Sequence, residues 1–422
     1  MRGAHALAVP KEEAIMNLLK TAIVISALSW AAGVAPAAAQ SGKISDGAVR
    51  IGVLSDFSGT FSDFSGKGSL TAVQMAVDEM GGKVLGSPIE IISADHQNKA
   101  DVGSSIAREW YDAKKVDAIF DVTNSAVTLA VMAIAKEKNG IVVIGGSSTT
   151  RATTDSCTPN SIQYVYDANS LANVTGKALI DQGGKTWYFI TVDFAFGHGL
   201  EKVTTDVVNA NGGKVLGSVR HPLNTSDFSS FLLRAQSSGA DVIALANGGT
   251  DTINAIKGAN EFGLTKSGKQ KVASLLTFIT DVHSMGLNTA QGIVLTEAFY
   301  WDLNDDTRKW ARAFSAKTGR MPTMVQAAMY SATLHYLKAI QKAGTDATAD
   351  VMKTMKATPV NDIFAQNGKI REDGLHVHDM YLMQVKKPEE SKEPWDYYNI
   401  RARVPADRAF SPMQPGACAF VK

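Results

Sequence analysis

The sequence predicts an α/β protein made of two similarly built units, each with a parallel sheet covered by helices. The first observation is a repeated heptapeptide, GGKVLGS, at residues 81–87 and again at 212–218. The second is its surroundings, where strand, helix, strand, helix and strand follow one another twice in the same order. Strands that alternate with helices favour a parallel sheet, because each crossover helix returns the chain to the end of the sheet where the previous strand began.

Each unit opens with an apolar strand that ends in Asp-Phe, at Asp56 and Phe57 in the first and at Asp193 and Phe194 in the second. Apolar residues at helical spacing follow, and Gly-Gly stands where a helix C-cap belongs. A short strand, a second helix and a fully buried strand come next, VDAIFDV in one unit and ADVIALA in the other. Two unrelated α/β stretches could share this pattern, but the identical heptapeptide favours a true repeat.

Length and charge agree with two globular domains. Of the 422 residues, 42 are basic and 41 are acidic, which gives a net charge of +1. A chain of this length is large enough for two domains, each with its own core. The balance of charges lacks the basic excess that nucleic acid or an anionic membrane requires. We therefore expect a protein that does not bind nucleic acid.

Residues 1–39 are expected to form a secretory signal peptide with Met16 as its start. The run MNLLKTAIVISALSWAAGVAPAAAQ carries Lys20 early, then an apolar core, then three alanines at residues 37–39. This pattern predicts cleavage after Ala39. A permanent membrane anchor is the alternative, but the apolar run is short and ends in small residues. The mature protein is therefore expected to fold outside the cytoplasm.

The mature chain has two cysteines, Cys157 and Cys418. An exported protein with an even number of cysteines is expected to pair them. The alternative is a pair of buried free thiols. A disulfide would fix the end of the chain beside the segment that follows the first predicted ligand loops.

Ligands of parallel sheets bind outside the carboxyl ends of the strands. Three polar loops follow strands in the first unit: SDFSGTFSDFSGKGS, TNSAV and GGSSTT. The last places Ser147, Ser148 and Thr149 after two glycines, so hydroxyl and backbone N–H donors gather at one strand end. A carboxylate suits such donors, and the helix that begins near Ser125 adds the positive end of its dipole. Serine and threonine are also ordinary turn and cap residues, which is the alternative interpretation.

The order of these motifs carries a resemblance to a known family. IGVLSDFSGTFSDFSGKG, AIFDVTNSAV, IVVIGGSSTT, VDFAFGHG and DVIALANGGTD occur in sequence between Ile51 and Val385. Together they resemble the type I periplasmic solute-binding proteins of the leucine/isoleucine/valine-binding family. That resemblance implies two Rossmann-like lobes joined by a hinge, a Venus-flytrap. It also implies a periplasmic monomer without a cofactor, which delivers a small molecule to the membrane permease of an ABC importer.

The resemblance assigns expected roles to individual side chains. Asn124 and Ser125, together with Ser147, Ser148 and Thr149, fall where the family holds the carboxylate of its ligand.

Two phenylalanines are expected to cover the ligand, one from each lobe. Phe64 stands where the family has an aromatic residue on the first lobe, and Phe196 stands where it usually has tyrosine on the second. Loss of that tyrosine hydroxyl would make the pocket more apolar. Packing in the core is the alternative role for both rings.

One departure from the family bears on the ligand. Amino-acid binders neutralise the ammonium of the ligand with an acid from the second lobe, because a buried charge without a partner is costly. The candidates are Asp251, in a loop that also offers Asn247, and Asp281, and neither aligns clearly with the family's acid. A carboxylate with an uncharged aromatic or aliphatic tail is therefore the preferred ligand, with a branched-chain type of amino acid as the alternative.

The same resemblance predicts the domain limits. The first lobe should hold residues 44–165 and 299–380, and the second lobe 166–298 and 381–400. Residues 401–422 should form a tail packed near the hinge, and their role is not evident from the sequence.

An exported hydrolase and a ligand-sensing domain are the alternative functions. An exported hydrolase would need a nucleophile or metal motif, and the only close histidines, His376 and His378, have no supporting cysteine or His-Glu-x-x-His pattern. A ligand-sensing domain would need a separate signalling partner. We therefore expect a binding protein and not an enzyme.

Overall fold

The computed structural model describes residues 44–264 and 270–421. The predicted signal peptide lies outside these residues. Within them, no helix combines the length and the apolar character needed to cross a membrane.

The first lobe is built on a six-stranded sheet. Its strands are β1 (Val49–Ser55), β2 (Lys83–Val84), β3 (Ser87–Asp95), β4 (Ala118–Asp121), β5 (Ile141–Ile144) and β6 (Ser161–Gln163). They lie in the order β2-β3-β1-β4-β5-β6, and all neighbours are parallel except β2 and β3. Strands β4 and β5 are buried throughout, as expected for a parallel sheet covered on both faces.

Three helices connect these strands: α1 (Gly66–Glu79), α2 (Ala100–Asp112) and α3 (Ser125–Lys138). Helix α3 shows why the sequence starts and stops a helix here. The side chain of Asn124 accepts hydrogen bonds from the backbone N–H groups of Ala126 and Val127, and Asn139 ends the helix in the left-handed conformation.

The second lobe contains a four-stranded parallel sheet in the order β10-β9-β7-β8. Its strands are β7 (Thr186–Val192), β8 (Lys214–His221), β9 (Val242–Ala246) and β10 (Lys271–Ser274), and β11 (Val294–Glu297) follows in a separate sheet. Its helices are α4 (Ala168–Leu171), α5 (Lys177–Asp181), α6 (Ala195–Ala210), α7 (Ser229–Ser237), α8 (Thr250–Glu261), α9 (Ile279–Met285) and α10 (Leu287–Ala290). A π-helical turn, Ala172–Gly176, joins α4 to α5.

The chain then returns to the first lobe through α11 (Asp305–Thr318), α12 (Met324–Ala343) and α13 (Thr348–Ala357). Helix α12 is buried along most of its length and packs against α1 and α13. A capping box between Thr323 and Gln326 starts it, and Gly344 ends it in the left-handed conformation. A small antiparallel pair follows, β12 (Lys369–Ile370) and β13 (His376–Val377).

The last strands return to the second lobe. β14 (Met380–Val385) and β15 (Tyr398–Val404) pair antiparallel with each other, and β14 also pairs with β11. A short helix, α14 (Ala406–Ala409), then leads into the tail. The ring of Phe410 packs on His378, and Arg371 donates to the carbonyl oxygen of Ser411 at 2.7 Å.

Cys157 and Cys418 form a disulfide, which confirms the predicted pair. The bond joins residues 261 positions apart in sequence. It attaches the end of the tail covalently to the first lobe.

Candidate ligand-binding site

The order of the strands places the site in both lobes. In the first sheet β1 lies between β3 and β4, and in the second β7 lies between β8 and β9. Successive crossovers therefore leave β1 and β7 towards opposite sides, which opens a crevice at the carboxyl ends of these strands. The loops that follow β1, β4, β7 and β9 border this crevice.

A small cavity lies where the two sets of loops meet. Its lining comprises Phe61, Phe64, Thr123, Asn124, Ser125 and Gly146 of the first lobe and Phe194, Phe196 and Leu276 of the second. Its free volume is about 10 Å³, so its own side chains nearly fill it. These lining residues, all within the described part of the chain, carry aromatic, aliphatic, hydroxyl and amide groups and no ionisable side chain.

An aromatic contact closes the cavity. The ring of Phe64 stacks on Phe278 of the second lobe with centroids 4.0 Å apart and planes inclined by 17°. Phe61 supports Phe64 from its own loop at 5.6 Å. Gly146 allows this arrangement, because a Cβ there would lie 3.1 Å from the ring of Phe64 and 2.8 Å from Thr123.

Hydroxyl groups form the polar wall on the first lobe. The Oγ atoms of Ser125 and Ser147 lie 3.1 Å apart, and the Oγ of Ser148 is buried with no partner within the described residues. Ser125 is also the first residue of α3, so the positive end of the helix dipole lies at this wall. Thr149 is 8% exposed and precedes a 3₁₀ turn, Thr150–Thr153.

The two lobes also touch through backbone. The N–H of Thr250 donates to the carbonyl oxygen of Thr60 at 3.3 Å, and the hydroxyls of the two residues are hydrogen-bonded. Gly249 has φ +61°, and a Cβ there would lie 2.2 Å from the oxygen of Thr60. The structure is therefore a closed form in which the lobes are in contact across the crevice.

A family model described as periplasmic binding protein matches residues 48–392. The chain belongs to the periplasmic binding protein family. This confirms the resemblance inferred from the motif order, and family members are solute-binding proteins rather than enzymes.

Known relatives of this periplasmic binding protein agree in fold. A crystal structure of a periplasmic binding protein from Burkholderia mallei is 52% identical, covers 89% of this chain and 100% of its own, and has a TM-score of 0.87. A branched chain amino acid ABC transporter periplasmic ligand-binding protein from Burkholderia xenovorans LB400 is 41% identical, with coverage of 88% and 99% and a TM-score of 0.80. The two-lobed α/β fold is thereby confirmed.

Two more distant proteins widen the comparison. A Leu/Ile/Val-binding protein homolog 6 from Brucella melitensis biotype 1 is 25% identical over 363 residues, which are 83% of this chain and 90% of that protein. A solute binding protein of an ABC transporter from R. palustris, crystallised in complex with benzoate, is 19% identical with a TM-score of 0.76. It covers 85% of this chain and 97% of its own, and it shares the fold.

Only some of the predicted site residues lie at the cavity. Phe64, Asn124, Ser125 and Phe196 line the cavity, and Ser147 contacts Ser125 beside it. The amide oxygen of Asn124 is already engaged as the cap of α3.

Asn247 lies within the second lobe in a network of its own. Its Nδ2 donates to His221 Nε2 at 3.1 Å, and its Oδ1 accepts from Thr252 at 2.7 Å. It is fully buried and is not part of the described cavity lining.

The two candidate acids, Asp251 and Asp281, are not part of the cavity lining. Asp251 accepts from the N–H of Asn224 at 3.2 Å, and burial raises its pKa to about 6. Asp281 accepts from the N–H of Phe278 at 2.9 Å, and burial raises its pKa to about 7. Asp281 thus orients the backbone that carries the stacked ring.

The two neighbouring histidines are bound to backbone. His376 Nδ1 lies 2.9 Å from the carbonyl oxygen of Tyr164, and the ring nitrogens of His378 lie 2.9 Å from that of Val165 and 3.0 Å from that of Asp379. Burial lowers the pKa of both. Within residues 44–264 and 270–421, no cluster of three or more His, Cys, Asp or Glu side chains could hold a metal ion.

Beyond Phe278, sequence reasoning missed Phe61, Thr123, Gly146, Phe194 and Leu276 of the cavity lining. The signal for the last lies in the rule used for the other loops, because Leu276 lies in the loop that follows strand β10. Phe278 precedes α9, and its stacking on Phe64 depends on a contact between lobes that no local pattern encodes.

Proposed function

We propose that this periplasmic binding protein is the solute-binding component of an ABC importer. Its solute is a small carboxylate with an aromatic or aliphatic tail, held between the lobes by closure of the hinge. The observation that carries this proposal is the cavity between the lobes, which combines phenylalanine rings with hydroxyl groups and has no ionisable side chain in its described lining.

The carboxylate would bind at the wall formed by Ser125, Ser147 and Ser148. The buried Ser148 hydroxyl has no partner in the described chain, so a ligand oxygen could accept its hydrogen bond. The N-terminus of α3 adds a favourable dipole, while its Ala126 and Val127 N–H groups are already capped by Asn124. Thr149, next to Ser148, would contribute through its hydroxyl or its backbone.

The tail of the solute would lie against the phenylalanines. Phe64 presents a ring face that Phe278 covers in the closed form, and Phe194 and Phe196 add apolar surface from the other side. Offset stacking of rings adds about 0.5–1.5 kcal/mol to the burial of area. A flat or branched apolar tail could replace one of these ring contacts when the lobes part to admit it.

The charge of the lining argues against an ammonium group on the solute. An ammonium would need a carboxylate beside it, since an unpaired buried charge costs several kcal/mol. Asp281 and Asp251 already accept backbone hydrogen bonds, and burial raises the pKa of both. The fold neighbour crystallised with benzoate supports the idea that this architecture accommodates an aromatic acid.

Closure would follow from contacts shared by both lobes. A solute that touches both walls stabilises the closed form over the open one, and the permease would recognise that closed form. We assign residues 44–165 and 299–380 to the first lobe and 166–298 and 381–400 to the second. Residues 401–422 form the tail.

Matched pairs of ligands that differ only in the ammonium test the proposal. Isothermal titration would compare 4-methylpentanoate with leucine and 3-phenylpropanoate with phenylalanine, with benzoate as a short aromatic acid. We expect the acids without an amino group to bind and their amino-acid partners to bind at least tenfold more weakly. Preference for the amino acids would instead support an amino-acid transporter component. Binding by none of them would refute the carboxylate proposal.

A further inference from the structure

A second groove lies beside the cavity, and we call it the mouth groove. Its volume is about 470 Å³, within the range of small-molecule sites. Its lining includes Phe57, Asp63, Lys67, Thr280, Lys317 and Arg320. It therefore combines aromatic surface with several charged side chains and hydroxyl groups.

The mouth groove adjoins the stacked rings of the cavity. The loop after β1 serves both, because Phe61 and Phe64 line the cavity while Phe57 and Asp63 line the groove. From the other lobe, Thr280 stands two residues after Phe278. The groove is thus completed by a second-lobe residue placed against first-lobe residues, as the cavity is.

The charges in the groove are unbalanced. Lys67, Lys317 and Arg320 stand against the single carboxylate of Asp63, which pairs with Arg320 at 2.9 Å. Within the described chain, neither lysine has a carboxylate at ion-pair distance. This local excess contrasts with a net charge of +1 for all 422 residues.

Thr280 provides an observation that is independent of the lysines. Its side chain is 3% exposed, lines the groove, and its Oγ1 has no hydrogen-bond partner within the described residues. A buried hydroxyl without a partner is costly, so such groups normally meet a ligand, a water or an ion. Beside three cations, the partner that suits a donating hydroxyl is an anion.

We propose that the mouth groove is an encounter site for the anionic solute. The carboxylate is first held there by the lysines, Arg320 and the hydroxyl of Thr280, while its apolar tail rests on Phe57. It passes into the cavity when Phe64 and Phe278 separate. This inference rests on the proposed carboxylate ligand and adds a place where that ligand first binds.

A positive groove at the mouth would act on the rate of association. Clefts lined by one sign of charge raise the on-rate of oppositely charged ligands, and salt suppresses the effect. The final complex lies in the neutral cavity, so the rate of dissociation should depend little on the groove. The signature is an on-rate that falls with ionic strength.

Stopped-flow tryptophan fluorescence of the full mature protein, with the carboxylate that binds best in the matched panel, tests the encounter site. Lys67→Gln with Lys317→Gln removes two charges and keeps most of each stem. We expect its on-rate at low salt to be three- to tenfold lower, with an unchanged off-rate and a flatter salt dependence. Lys338→Gln with Lys353→Gln is the control, because these exposed lysines line other grooves and give the same change in net charge.

Thr280→Val tests the hydroxyl, since it preserves the shape of the side chain, and its on-rate should also fall. An on-rate that is unchanged in the Lys67 and Lys317 variant, or that falls equally in the control, would overturn the encounter site and leave the proposed function intact. Failure of every carboxylate to bind the parent protein would overturn both.

Discussion

Phe64 and Phe278 stack face to face at 4.0 Å although they belong to different lobes. Phe64 lies in the loop after the first strand of one sheet, and Phe278 lies in the loop after the last strand of the other. Each ring lies beside a crevice whose two walls come from separate parts of the chain. The pair therefore reports directly on closure, because it can exist only when the lobes are together.

Replacing either ring should weaken solute binding. Phe64→Ala or Phe278→Ala removes an apolar face worth about 1–3 kcal/mol, which corresponds to a five- to 150-fold loss of affinity by isothermal titration. Phe262→Ala is the control, because Phe262 is an exposed phenylalanine of the second lobe. Equal affinities in all three variants would place the solute elsewhere.

Gly249→Ala should hold the lobes apart. The new Cβ would approach the carbonyl oxygen of Thr60 to 2.2 Å, so the closed form becomes inaccessible without a backbone shift. We expect at least a tenfold loss of affinity and, by small-angle X-ray scattering, no compaction on addition of solute. Gly239→Ala is the matched control, because Gly239 has a similar φ of +65° and open space around it. Both variants should lose about 1 kcal/mol of stability from backbone strain.

Ser125→Ala should weaken binding of a carboxylate by about 1–3 kcal/mol in isothermal titration. It removes one donor and leaves the Ser147 hydroxyl without the partner it now has at 3.1 Å. Thr149→Ala should have a similar effect if Thr149 also reaches the ligand. Ser237→Ala, at an exposed position on α7, serves as the control. A variant with unchanged affinity would exclude its residue from the site.

Asp281→Asn should change how stability depends on pH. Burial raises the pKa of Asp281 to about 7, so the folded protein keeps this proton over a range in which the unfolded chain, with a pKa near 3.8, releases it. The native state of the parent therefore loses stability as pH rises from about 4 to 7. Asparagine cannot ionise and can still accept from the N–H of Phe278.

Urea unfolding at pH 4.5 and pH 8 measures this effect. From pH 4.5 to pH 8, the free energy of unfolding of the variant should rise by about 2–4 kcal/mol relative to that of the parent. The size follows because one pKa unit corresponds to about 1.4 kcal/mol. The pH 4.5 comparison is an internal control, since both side chains are largely neutral there in the native state. Parallel curves would show that Asp281 does not carry this dependence.

Removal of the disulfide should lower the free energy of unfolding and should change the affinity for the solute much less. Cys157→Ser with Cys418→Ser frees a loop of 261 residues in the unfolded state, and we expect a loss of about 2–5 kcal/mol by thermal unfolding. Residues up to Ser411 keep their hydrogen bonds, including the one from Asn173 to the oxygen of Ala409 at 3.0 Å. Mass spectrometry of the non-reduced parent should detect the linked peptides, and two free thiols would contradict the bond.

The repeated heptapeptide shows how far local sequence determines structure. At 81–87 it forms a tight hairpin, in which Lys83 pairs with Pro88 in the antiparallel sense. At 212–218 it forms the start of a continuous parallel strand, in which Lys214 pairs with Thr186. The neighbouring strand explains the difference. The second copy pairs with β7, whereas β1, the corresponding strand of the first lobe, begins only at Val49 after a 3₁₀ turn, Ser45–Gly47. Among the described residues, β1 does not extend beside the first copy, which pairs with β3 instead, so tertiary context decides.

The same division applies to the site. The rule that ligand loops follow parallel strands pointed to the loops, and the family resemblance then selected Phe64, Asn124, Ser125 and Phe196 within them, which share one cavity. Neither source could distinguish an acidic side chain that faces a ligand from one that accepts hydrogen bonds from the backbone. Asp281 fills the second role towards Phe278, and that depends on the local turn of the chain and not on its composition.

The bond between Cys157 and Cys418 also has a consequence for biogenesis. Cys157 is made early, yet its disulfide requires a cysteine that leaves the ribosome 261 residues later. Helix α12, which packs on α1, is likewise supplied late. A chain released before residue 418 would carry an unpaired thiol, so the bond can form only in molecules whose synthesis has passed Cys418.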